Sequence, residues 1–247
     1  MSKKYPQAFS PLSKALEPPS SPASSSFSAH ELWAESYDET LNPLLHLEMR
    51  CVVELLPELY GCHVADLGCG TGRWLTVLRE RAIDGSVAGI DYSPAMLARA
   101  AQKLNLAPLL VRGDLNHIPI RSLSIDFIVC SFVLGYVEWL NPFAAEAARI
   151  LKPGAKIFCT DVHPSALQAG WKRSFRHAGR SINVPSVIHL PESIVAAFSD
   201  SCRLVCQRAF YLGDAERPIF DQAGKSSLFE ANRQYAAVIM FEWQKLK

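Results

Sequence analysis

The sequence has little that would commit it to a polyanion or a membrane. Lys and Arg number 25 against 24 Asp and Glu, a net charge of +1. That near-balance gives no electrostatic reason to expect nucleic acid as a partner. No apolar run reaches the roughly eighteen residues of a membrane span. The opening, "MSKKYPQAFSPLSKALEPPSSPASSSFS", carries charge with no hydrophobic stretch behind it and does not read as a signal peptide. The 7 cysteines form no C-x-x-C pair, and Cys130 and Cys159 sit in apolar runs as small buried thiols. An odd count without paired spacing suits a reducing, cytoplasmic compartment and no disulfides. Cys202 and Cys206 have no second pair to complete a metal site, so no metal is expected.

What is present is a globular pattern. The chain has 247 residues, 49% hydrophobic and 20% charged, enough for a substantial core. Residues 1–26 are rich in Ser and Pro and read as a flexible tail. Residues 27–247 read as a single domain. Within it, Pro43 is expected to open a helix that runs to Leu56. Strands and helices then alternate: "HVADLG", "SVAGID", "APLLVRGD", "IDFIVCSFVL" and "AKIFCTDV" as strands, "RWLTVLRERA", "SPAMLARAAQKL" and "PFAAEAARIL" as helices. Ser93 is the N-cap of the second of these helices. Continuous apolar strands alternating with helices predict an α/β fold, a doubly wound, mostly parallel sheet covered on both faces. The end differs: "CRLVCQRAFYLG" and "YAAVIMFEWQK" read as an antiparallel pair closing the sheet, with a short helix in "SSLFEANRQ" between them.

The chemistry starts at "VADLGCGTGRW". A glycine-rich turn after a strand brings backbone close to a ligand. A dinucleotide fingerprint requires a third glycine where Arg73 stands, and a P-loop requires a lysine that residues 68–75 lack. A nicotinamide oxidoreductase is thereby disfavoured. Asp66, inside the strand, repels a pyrophosphate but suits an ammonium. Asp91 ends the next strand, where an acid can accept from both ribose hydroxyls. Asp114 ends the third and suits an exocyclic adenine amine. Carboxylates at successive strand ends fit an adenosine bearing an amino acid, which is S-adenosylmethionine.

In order and spacing, "VADLGCGTGRW", "VAGIDYSPAML", "VRGDLNHIPI", "IDFIVCSFVLGYVEW" and "ARILKPGAKIFCTD" resemble the motifs of class I S-adenosylmethionine-dependent methyltransferases. The likeness is closest to the group that includes the ubiquinone and menaquinone biosynthesis enzymes. It implies a Rossmann-like seven-stranded sheet with an antiparallel last strand. It also implies cofactor contacts from Gly68, Gly70, Asp91, Tyr92, Met96, Asp114, Leu115 and Ser131. Arg50 is expected to pair with the cofactor carboxylate, and Tyr37 to close over the cofactor.

Methyl transfer needs alignment and exclusion of water, and a base where the acceptor carries a proton. His163, beyond the fifth strand, is the expected general base, with Asp161 to orient it and Tyr136 in the acceptor pocket. An acceptor-site insertion is expected at about 163–192. There Trp171, Arg173, Phe175, Arg176 and His177 would suit a planar, apolar or anionic acceptor. The fourth strand lacks the Asp/Asn-Pro-Pro-aromatic signature of enzymes that methylate nucleobase or glutamine amines. The sequence therefore points to a small-molecule acceptor, with hydroxyl, amine, thiol and carbon nucleophiles all open. The alternatives are a protein or RNA methyltransferase and a cofactor-binding module without catalysis.

Overall fold

A computed structural model describes residues 23–39, 41–104 and 109–247. The chain enters through helix α1 (Ala23–Trp33), then α2 (Pro43–Val52), which continues as a 3-10 turn to Leu55. Asn42 caps α2 by accepting from Leu44 N at 2.9 Å, with Pro43 at the first helical position. Residues 1–22 of the expected tail lie outside the described residues. Its last residues do not match that reading, because Ala23 onward is helical and Ser26 and Phe27 reach the main cavity.

The alternating section follows. It contains β1 (His63–Leu67), α3 (Arg73–Arg81), β2 (Ser86–Asp91), α4 (Pro94–Leu104), β3 (Leu109–Arg112), β4 (Ile125–Ser131), α5 (Leu140–Ile150) and β5 (Leu151–Val162). Ser93 caps α4, its Oγ accepting from Met96 N at 3.1 Å. β5 starts earlier than expected and takes in Lys152, Pro153 and Gly154. The register with β4 jumps from Ile125↔Leu151 to Phe127↔Lys156, so the Pro-Gly segment is absorbed as a bulge. Beyond β5 come α6 (Pro164–Gln168), β6 (Ser174–His177), β7 (Arg180–Asn183) and α7 (Pro191–Phe198). β6 and β7 form a separate hairpin. Ala178 and Gly179 between them both have positive φ, 48° and 76°, the tight-turn geometry that matches strand twist. The chain closes with β8 (Cys202–Tyr211), α8 (Arg217–Gln222), α9 (Ser226–Asn232) and β9 (Ala236–Lys245).

The main sheet has 7 strands in the order β3-β2-β1-β4-β5-β9-β8. β9 runs antiparallel to both β5 and β8, and the other pairings are parallel. The order reverses between β1 and β4, and a ligand crevice belongs at the carboxyl ends of those strands. Buried side chains fill both faces. One cluster includes Ile128, Phe143 and Trp243 under α5 and α7; the other includes Trp74, Leu78 and Phe127 under α3. No helix among the described residues is long and apolar enough to cross a membrane.

Phe198 of α7 stacks on Trp243 of β9 with centroids 4.3 Å apart and planes 19° apart. The ring is 1% exposed, so truncation leaves a cavity. Phe198→Ala is expected to cost about 3–5 kcal/mol, read as a lower midpoint in urea unfolding.

Candidate functional site

The turn after β1 is shaped by glycine where backbone must double back. Gly68 has φ 74°, and a Cβ there would sit 2.2 Å from Val133 Cγ2. Gly70 has φ 52° and faces open space, with nothing within 4 Å of its Cβ position. Its amide donates to Asp91 Oδ2 at 2.8 Å, and the Ser93 amide donates to Asp91 Oδ1 at 2.9 Å. Burial raises the Asp91 pKa, and these amides oppose the rise. Each Asp91 oxygen keeps a lone pair for a further donor. Asp114 Oδ1 accepts from the Asn116 amide at 2.8 Å and from its side chain at 3.1 Å.

Asp66 is 1% exposed, and neither carboxylate oxygen has a hydrogen-bond partner in the described structure. Burial pushes its pKa up to about 8, against the pull of the Arg73 guanidinium. A buried carboxylate without donors is costly unless it is protonated or a ligand supplies one.

All of these glycines and acids except the buried Asp66 border one cavity of about 310 Å³. Gly68, Gly70, Asp91 and Asp114 lie on its wall with Tyr92, Met96, Leu115 and Ser131. Tyr37 and Tyr136 line it too, together with Phe27, His30 and Trp33 from α1 and Phe132 and Trp139 from the segment after β4. Burial holds the Tyr37 hydroxyl at about 12, with Arg73 opposing. Among the described residues, no Lys or Arg lines this cavity.

A buried carboxylate fixes the floor. Glu48 of α2 is fully buried. It accepts from Arg73 Nη1 at 2.6 Å, Trp74 Nε1 at 3.1 Å, Ser131 Oγ at 2.7 Å and Thr160 Oγ1 at 2.7 Å. Arg73 Nη2 also donates to Ser131 Oγ at 2.8 Å. One side chain thus ties α2, α3, β4 and β5 together beneath the glycine turn.

Several expected residues are elsewhere. Arg50 makes a two-pronged pair with Glu216, at 3.0 Å on each prong, and does not line the cavity. Its helix face turns it toward the loop after β8. His163 caps α6 instead of facing the cavity. Its Nδ1 accepts from the Ser165 amide at 3.1 Å and lies 2.8 Å from Ser165 Oγ. Asp161 accepts from the Gly135 amide at 2.7 Å and the Val162 amide at 2.6 Å and pairs with Arg173, so it pins the backbone behind Tyr136. Arg173 also lies over the Tyr136 ring, 5.0 Å from its centroid. Trp171 donates to Asn232 Oδ1 at 2.5 Å. Phe175 is buried and stacks on Trp33 at 5.1 Å, supporting the cavity from behind. Arg176 is exposed on the hairpin and His177 is partly buried there; neither reaches the cavity. The expected anionic-acceptor cluster is therefore not assembled.

Sequence reasoning missed Glu48, His30, Phe27 and Trp33, and treated Arg73 only as an absent glycine. A signal was available for part of this set. His30, Trp33 and Tyr37 recur at three- and four-residue spacing in "AHELWAESY", which gives one aromatic face. Nothing marks Glu48, because a single acid on a helix normally faces water.

Sheet order, glycine turn and acid-lined crevice are similar to those of the class I S-adenosylmethionine-dependent methyltransferases. More particularly, residues 65–159 match the family model described as methyltransferase domain. The demethylmenaquinone methyltransferase of Lactiplantibacillus plantarum is 35% identical over 105 residues, 40% of this chain and 44% of that protein. The malonyl-acyl-carrier-protein O-methyltransferase of Dechloromonas aromatica is 32% identical over 147 residues, 59% of this chain and 51% of that protein. The chain spans about half the length of these curated relatives. The crystal structure of an S-adenosylmethionine dependent methyltransferase from Mesorhizobium loti shares the fold. Its TM-score is 0.62 at 21% identity, covering 80% of this chain and 97% of that one.

Removing the charge of Glu48 leaves Arg73, whose side chain is 23% exposed, without its carboxylate. Glu48→Gln is expected to cost about 3–5 kcal/mol in urea unfolding, and adding Arg73→Met should recover part of that loss.

Proposed function

We propose that this chain transfers a methyl group from S-adenosylmethionine to a small, planar acceptor. The observation that carries the reading is a single cavity with two unlike walls. One is the glycine turn with Asp91 and Asp114; the other is the aromatic set from α1 and the β4 loop. The residues present fit the cofactor. On the cavity wall, Asp91 has lone pairs left that would take two ribose hydroxyls, and Asp114 would take an adenine amine; the unpartnered Asp66 lies buried just behind the wall, two residues before Gly68. Met96 and Leu115 supply apolar contact for the base.

When bound, the cofactor supplies a methyl group on a positively charged sulfur, already activated for displacement. The protein's contribution is alignment and exclusion of water. Ser131 is held by Glu48 and Arg73 at the end of β4, so the floor is rigid. The roof is α1, latched by Glu31, which accepts from Ser93 Oγ at 2.5 Å and Ala95 N at 3.2 Å. Phe27 packs edge-on to Tyr92 with centroids 5.2 Å apart. The aromatic wall suits a planar acceptor, and the described lining, which carries no Lys or Arg, favours a neutral one over a carboxylate or phosphate. The curated relatives named above, a demethylmenaquinone and a malonyl-acyl-carrier-protein methyltransferase, are consistent with an acceptor that is not a nucleic acid.

Calorimetry with S-adenosylhomocysteine tests the cofactor. Binding is expected, with no response to NAD(H); the opposite pattern would sink the proposal. Asp91→Ala should weaken that binding by about tenfold or more, the worth of a hydrogen bond to a charged group. Turnover of labelled S-adenosylmethionine with a fractionated metabolite extract separates an enzyme from a binding module.

The pH dependence follows from Asp66, which holds its proton up to about 8 in the free protein. A cationic ligand in the adjoining cavity would favour the buried carboxylate through space, so binding releases a proton below that pH. Affinity for S-adenosylhomocysteine should therefore rise from pH 6 to 8 and then flatten. Asp66→Asn should abolish the rise, and an unchanged slope in that variant would assign the effect elsewhere.

A further inference from the structure

Four residues on the cavity wall could take a proton from an acceptor: His30, Asp91, Asp114 and Glu138. Both Asp91 oxygens are held by backbone amides, and Asp114 is held by Asn116. Glu138 is exposed, so water competes for it. Tyr136 keeps its proton, because burial raises its pKa against the opposing pull of the Arg173 guanidinium. His163 and Asp161 are committed to α6 and to the backbone behind Tyr136.

His30 stands apart. Its Nδ1 lies 2.8 Å from the Ser26 carbonyl oxygen. A carbonyl can only accept, so Nδ1 carries the hydrogen and the neutral ring keeps its lone pair on Nε2. Nε2 has no hydrogen-bond partner among the described residues, and the ring borders the cavity. The edge-to-face contact with Tyr136, centroids 4.6 Å apart, sets the ring against the segment after β4. The Glu31 latch fixes the helix that carries it.

We propose that His30 Nε2 is the general base that accepts the proton of the methyl acceptor. The inference rests on the methyl-transfer reading above and gives His30 the role that the sequence pattern suggested for His163. An O–H or N–H acceptor gives its proton to Nε2 as its heteroatom lone pair bonds to the methyl carbon. The carbon–sulfur electron pair leaves with sulfur, and the imidazolium then returns the proton to water. The surroundings suit both states. Burial favours the neutral ring beforehand, and the Arg173 charge acts in the same direction. Asp91, Glu31 and the Ser26 carbonyl favour the imidazolium afterwards.

Carbethoxylation of the full chain by diethyl pyrocarbonate, mapped by peptide mass spectrometry, tests this without an acceptor. The reagent attacks a free neutral imidazole nitrogen, and His117, whose side chain is 88% exposed, is the internal standard. His30 is expected to react in the free chain and to stay within about threefold of that rate with S-adenosylhomocysteine bound. No reaction at His30 while His117 reacts would overturn the proposal. So would protection by S-adenosylhomocysteine of about tenfold or more, which would turn Nε2 toward the cofactor. In the extract-fed turnover assay, His30→Gln should lower the rate about 100-fold or more with S-adenosylhomocysteine affinity unchanged. A rate near wild type, or a parallel loss of affinity, would remove the base role. Failure of S-adenosylhomocysteine to bind wild type falls on the methyl-transfer reading, whereas the labelling pattern and His30→Gln fall on His30 alone.

Discussion

The arrangement depends on one buried carboxylate. Glu48 has no contact with solvent, yet it gathers donors from α3, β4 and β5 onto α2. Burying a carboxylate is unfavourable unless its lone pairs are met, so each donor must arrive in its place. Arg73 sits at the start of α3, immediately after the glycine turn. Ser131 sits at the end of β4, where the sheet order reverses. By holding both, Glu48 sets the spacing between the turn and the strand end that together frame the crevice. A residue with no contact to the cavity thus decides the cavity's shape.

The opposite side is held more lightly. Helix α1 is fastened by the Glu31 latch to the start of α4, by Phe27 against Tyr92 and by Trp33 against Phe175 of the hairpin. These are edge and stacking contacts plus hydrogen bonds at a partly exposed helix end, unlike the enclosed network under the floor. A rigid floor beside a separately attached roof lets a site position one ligand firmly while the roof completes the other half. That division places the cofactor-facing acids on the sheet and the aromatic wall, with His30, on the added helix.

The sheet was largely legible because parallel strands buried on both faces write themselves as continuous apolar runs. "SVAGID" and Ser93-Pro94 fall at the observed bounds of β2 and α4. The antiparallel β8–β9 pair was legible for the same reason. The bulge at Pro153–Gly154 was not, since those residues punctuate a loop as readily as they bend a strand. The Ala178–Gly179 hairpin turn was missed in a segment read for its charges. In the site, residues held by main-chain position were legible: Gly68, Gly70, Asp91 and Asp114 follow strand ends and share one wall. Residues whose role depends on which way a side chain turns were not. Arg50 went to Glu216, His163 to its own helix cap, and the cations of residues 172–180 to Asp161 or to the surface.

By itself, then, the sequence determined the strand–helix alternation, the glycine turn and the acids at the strand ends. Each of these is a local consequence of periodicity, backbone freedom and chain direction. Tertiary structure alone decided which distant groups meet. It put Glu48 beneath a turn further along the chain, set His30 on the cavity and used His163 as a cap. The physical reason is that a polar side chain settles where its hydrogen bonds are best met, and those partners come from segments that only folding brings within reach.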